Sequence, residues 1–136
     1  MFVYPTVKPA LRTALSILVD AFDGTASVAA ALPKNRLPER FVLVELSGGS
    51  RPNVVTTSTR ILIQLFAVDP ATAESMWGTA DAAMHNAIGT VIDDEVFVRN
   101  WGNVAGPTGP FAHPDFLQLT RLQGTGDLVL STSTAA

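Results

Sequence analysis

RFVLVELSGGSRPNVVTTSTRILIQLFAVD, residues 40 to 69, holds two runs of strand formers on either side of a glycine pair, a proline and an asparagine. A phosphate cradle would need its glycines between a strand and a helix N-terminus, where backbone N–H groups and the helix dipole converge on an anion. Here a second strand follows, and neither GxxxxGK[ST] nor GxGxxG is present. The stretch therefore reads as a long β-hairpin, with Ser47, Gly48, Gly49, Ser50 and Arg51 at its tip, the glycines allowing positive φ.

Both faces of the first run are apolar: Phe41 and Leu43 on one, Val42, Val44 and Leu46 on the other. A strand of that kind is covered on both sides. The second run ends at Asp69-Pro70, a helix N-cap followed by proline at the first helical position. Ala73, Met76, Trp77, Ala80, Ala83, Met84, Ala87 and Ile88 then fall at helical spacing, with Gly89 as the stop, so a helix is predicted over about residues 70 to 88.

Upstream, Ala10, Leu11, Ala14, Leu15, Leu18, Val19 and Phe22 mark one face of a helix over 7 to 22, stopped at Asp23-Gly24. Ser27 to Leu32 reads as a short strand. Downstream, VFVRNW (96 to 101) reads as a strand, GNVAGPTGPFAHPD (102 to 115) as a loop, and FLQLTRLQGTGDLVLST as the last strand, with a bulge or kink at Gly124 and Gly126. Residues 131 to 136 read as a frayed tail. The expected fold is α+β: one domain over residues 1 to 136, a mainly antiparallel sheet of about four to five strands with a long hairpin, packed by two helices.

Composition narrows the function classes. Of 136 residues, 47% are hydrophobic and 15% charged, against roughly 25% charged in an average soluble domain. Apolar surface should remain after folding, which favours an obligate oligomer. No cysteine is present, so thiolate metal sites and cysteine nucleophiles are excluded. No run reaches the roughly 18 to 20 apolar residues of a membrane span, and a net charge of -3 speaks against sequence-specific nucleic acid as the partner. Charge is also segregated. From 34 to 60, Lys34, Arg36, Arg40, Arg51 and Arg60 face two glutamates; from 61 to 98 there are six acidic residues, including Glu74 and Asp81, and no lysine or arginine.

No catalytic or metal constellation can be assembled from spacing. His113 and Asp115 flank a proline, His85 lies four residues after Asp81 and suits a surface ion pair, and GxSxG is missing. Trp101 reads either as core cover or as a partner contact.

PERFVLVELSGGSR leading into VVTTSTRILIQLFAVD, then ATAESMWGTADAAMHNAI, then VRNWGNVAGPTGPFAHPDFLQLTRLQ, resembles the tail terminator (tail completion) proteins of long-tailed bacteriophages. The resemblance covers roughly residues 5 to 130. It implies a structural virion protein with no enzymatic activity and no cofactor, assembled in the host cytoplasm as a homohexameric ring at the head-proximal end of the tail. Its partners would be itself, the tail tube protein and the head-tail connector protein, with DNA free to pass through the ring and no membrane involved. A neck or head-closure protein of the same assembly is the nearest alternative. A small dimeric α+β ligand-binding domain or enzyme, built on His113, Asp115, Arg99 and Arg121, is the competing class. In a ring the interface is heterologous, so Arg40, Arg51 and Arg60, with Ser47 to Ser50 beside them, are expected to meet Glu74 and Asp81 of a neighbour.

Overall fold

The computed structural model describes residues 7–32, 39–50, 56–93, 96–113 and 116–132. Helix α1 (Val7–Phe22) is followed by β1 (Ser27–Ala29), β2 (Phe41–Ser50), β3 (Thr56–Ala67), α2 (Pro70–Asn86), β4 (Val91–Ile92), β5 (Val96–His113) and β6 (Phe116–Thr132). The strands form one six-stranded sheet in the order β1-β2-β3-β6-β5-β4. Every pairing is antiparallel except β1 with β2, which makes the sheet mixed. The α+β class and the central hairpin agree with expectation. The strand count does not, because two-residue β4 carries no alternation long enough to read.

Both helices pack on one face. Val42 and Val44 of β2, Ile61, Ile63 and Leu65 of β3, and Leu122, Leu128 and Leu130 of β6 meet Ala10, Ala14, Ile17, Leu18 and Phe22 of α1 and Ala73, Met76, Trp77, Ala80 and Met84 of α2. Four of these ten helix residues are alanines, and small side chains let helices approach a sheet closely. The buried stripe of α1 differs from the expected one. Ile17 is inside, Leu11 and Leu15 are only partly buried, and Val19 is 50% exposed, since nine residues from Ala10 carry Val19 about half a turn round the helix.

The opposite face has a smaller cluster of Phe41, Leu43, Phe66 and Leu119, with Ala29 and Leu32 packed on it. Phe41 and Phe66 meet edge to face, with centroids 6.2 Å apart. Here β2 is covered on both sides, as its sequence requires. Leu32, just after β1, lies against this second cluster.

Three further expectations change. Gly48, Gly49 and Ser50 are not the hairpin tip; they extend β2 and pair with Arg60, Thr59 and Ser58 after a bulge between Leu46 and Gly48. The bulge absorbs one residue, so the ladder resumes through the glycines; Arg51 lies outside the described residues. Second, residues 102 to 113 are strand, not loop. They follow β6 through four of the five register shifts in β5, because β5 is outermost there among the described residues and an edge strand tolerates the missing N–H of proline. Third, β6 runs to Thr132, as FLQLTRLQGTGDLVLST reads, and Ser131 is buried, so the frayed tail does not include residues 131 and 132; residues 133 to 136 lie outside the described residues.

Against β3, β6 keeps unbroken register at Gly124 and Gly126, opposite Ile63 and Ile61; the register shifts near them fall in the ladder with β5, between Asn103 and Thr108. The two glycines clear room for two indoles. A Cβ on Gly124 would lie 2.5 Å from Cη2 of Trp77, and one on Gly126 would clash with the six-membered ring of Trp101.

Candidate assembly surfaces

Alternation along β3 and β6 that sends apolar side chains to the helices sends polar ones to the far face. Arg60 and Asp127 are cross-strand partners there, and the arginine Nε donates to Asp127 Oδ1 at 3.0 Å. That bond, with the carboxylate's charge, raises the Arg60 pKa above its usual value. Further along, Gln64 Nε2 donates to Glu45 Oε1 at 2.6 Å, and Arg121 Nη1 donates to Gln64 Oε1 at 3.2 Å. Arg99 donates through Nε to Ser131 Oγ at 3.1 Å and stands over the Phe97 ring, 5.4 Å from its centroid. These polar groups form separate clusters along the far face and together draw on four strands. The partners in each cluster sit too far apart in sequence for spacing to show them; only the strand order β2-β3-β6-β5 brings them together.

On the helical side, Asp69 caps α2. Its carboxylate accepts from Thr72 N at 2.8 Å and from the Thr72 hydroxyl at 3.1 Å. The backbone bond, then the hydroxyl bond and, more weakly, the charge of Arg40 hold the Asp69 carboxyl below its ordinary pKa. Arg40 is exposed at the mouth of a cleft of about 560 Å³ between the end of α1 and the start of α2, lined also by Phe22, Asp23 and Met76. Asp81, in the middle of α2, accepts from the indole Nε1 of Trp101 at 3.0 Å. His85 Nε2 lies 3.6 Å from the same carboxylate oxygen, the expected ion pair. Trp101 is 2% exposed, so of its two readings the core one holds.

The structure separates several of the predicted interface residues. Arg40 lies beside α2's N-terminus, Ser47 is exposed beside the bulge, Gly48, Gly49 and Ser50 form the upper part of β2, and Glu74 is exposed on α2. Arg60 faces its own chain's Asp127, and Asp81 its own Trp101 and His85. Of the residues proposed for an enzyme, Arg99 is tied to Ser131 and Arg121 to Gln64. Ser131 and Arg121 are ten residues apart along one strand, roughly 33 Å, and His113 pairs with Phe116 further toward the hairpin end; Asp115 lies outside the described residues. These groups do not converge. Among the described residues, no group of three or more His, Cys, Asp or Glu could hold a metal ion, and no helix is long and apolar enough to cross a membrane.

No family model matches the sequence, and no curated protein matches it. Among solved structures, the fold is similar to one chain of the "Virion of native gene transfer agent (GTA) particle", at 13% identity and a TM-score of 0.50, covering 92% of this chain and 91% of that one. The likeness is one of fold, and it runs end to end.

Proposed function

We propose that this chain is a structural virion protein, not an enzyme, that forms a ring on the head-proximal end of a phage tail tube, stops tube growth and supplies the joint to the head connector. The observation that carries the virion role is the end-to-end likeness to a component of a virion particle. The narrower terminator role rests on the resemblance of the segments running from PERFVLVELSGGSR to FLQLTRLQ. Low charge supports an assembled state, since 15% charged residues leave much of the surface without the repulsion that keeps monomers apart. A far face whose charged side chains are held by neighbours in the same chain also suits a surface that lines a passage without gripping what passes, which fits DNA moving through the ring. A neck or head-closure protein would share the virion likeness and differ in what it binds.

Electron microscopy of the purified chain, alone and added to polymerising tail tube protein, tests the reading. Six-fold rings and tubes held at uniform length, each capped at one end, are the expected result. Rings that ignore tube ends but bind the connector favour the head-closure role. A chain that stays monomeric and leaves tube growth unchecked overturns both.

A further inference from the structure

The two edges of the sheet are incompletely covered. On one side, β1 pairs with Phe41, Val42 and Leu43 only. Ser27 N donates to the Arg40 carbonyl, so by strand alternation Val44 and Leu46 also turn their N–H and C=O away from β3. From Val44 to Ser50, no strand among the described residues pairs with that outer side. On the other side, β4 covers Val96 and Phe97, and Gly89 and Thr90 bond to Val98. From Arg99 onward, the outer side of β5 has no strand neighbour among the described residues. Pro107 and Pro110 blunt the far part of that edge, as edge prolines do. Residues 99 to 105 contain no proline.

These two open stretches lie level with one another. Leu46 pairs with Ile61, Ile61 with Gly126, and Gly126 with Asn103. Nearer the hairpin end, Ser50 pairs with Ser58, Ser58 with Val129, and Val129 with Asn100. Three successive antiparallel pairings also leave β2 and β5 running in opposite directions. A second copy related by rotation, with no shift along the strands, would therefore bring its 99 to 105 edge antiparallel to this chain's 44 to 50 edge. Association by rotation without rise closes into a ring, whereas a rise would produce a filament.

We infer that residues 44 to 50 of β2 pair with residues 99 to 105 of β5 in a second copy of this chain, joining neighbouring sheets head to tail through main-chain hydrogen bonds. A foreign strand would require only one open edge. Two edges of matching height and opposite direction select another copy. The inference deepens the ring reading proposed above and rests on it for the number of subunits.

The chain has no cysteine, so engineered thiols report on this contact alone. Ser47 and Asn103 are both exposed, and the variant carrying Ser47→Cys together with Asn103→Cys is oxidised mildly after assembly. The expected result on a non-reducing gel is a ladder of covalent multimers that ends at the ring's own subunit count, with neither single variant forming covalent species. Cross-linking by Ser47→Cys alone would mean β2 meets β2 across a two-fold axis, and that overturns the inference. Rings with no ladder, for this pair and for Ser47→Cys with Ala105→Cys, overturn the edge pairing while the ring reading stands. A chain that remains monomeric overturns both.

Discussion

The β2–β3 and β5–β6 hairpins occupy opposite halves of one sheet and are built to different standards. Pairing of β2 with β3 runs from Phe41 to Ser50 with a single shift, while β5 follows β6 through five. The difference follows from neighbours. Residues 58 to 66 of β3 are held between two strands, and the odd-numbered side chains Ile61, Ile63 and Leu65 are fully buried under the helices. Beyond Gly102, β5 has β6 as its one strand neighbour among the described residues, and residues 103 to 109 are exposed. A ladder locked on both sides and packed from above cannot slip, because a one-residue shift would turn its core side chains outward. An edge ladder without buried side chains loses little by bulging.

The strongest way to break this comparison is to truncate matched side chains in the two regions. Leu65→Ala should lower the unfolding free energy, measured in urea, by about 2 to 5 kcal/mol, whereas Val104→Ala, at a position 44% exposed, should change it by less than about 0.5 kcal/mol. Equal effects would mean that the outer half of β5 is packed after all.

Glycines sharpen the contrast. Gly126→Ala pushes a methyl group into the Trp101 ring and should cost about 1 to 3 kcal/mol as an overpacked core does. Gly102→Ala meets nothing within 4 Å and should leave the urea midpoint nearly unchanged. If both substitutions are silent, Trp101 does not sit on Gly126.

Asp81→Ala is expected to have a smaller effect. It strands the buried indole N–H of Trp101, a loss of about 1 kcal/mol for one hydrogen bond, and should shift the tryptophan emission. Asp81→Asn keeps a carbonyl acceptor and should restore most of the stability, whereas a variant as weak as the alanine would show that charge, not acceptance, matters.

The smallest effect is electrostatic. Folding holds the Asp69 carboxyl below its ordinary 3.8, so its contribution is fully present above that value and is lost as pH falls through the lowered folded value. Thermal unfolding of wild type against Asp69→Asn should show a gap that is constant from neutral pH down to mild acid and closes below 3.8. A gap that widens on acidification would reverse the sign and refute the cap as the cause.

What the sequence determined by itself was local. The spans of both helices, the Asp69-Pro70 start of α2, the central hairpin and the doubly covered β2 follow from side-chain period, capping chemistry and turn residues. All of these act within a few residues of chain. The tertiary structure decided whatever depends on a distant partner. GNVAGPTGPFAH looks like a loop because its glycines and prolines offer no ladder of their own, yet β6 supplies one from the other side of the hairpin. Gly124 and Gly126 look like breaks, yet they mark where two indoles from elsewhere in the chain come to rest. Arg60 looks like a free charge because Asp127 is far away in sequence, and Asp81 shows only its local partner His85 because the indole of Trp101 comes from another element. The level match of the two open edges exists only through three ladders read in succession, which no run of residues can encode alone.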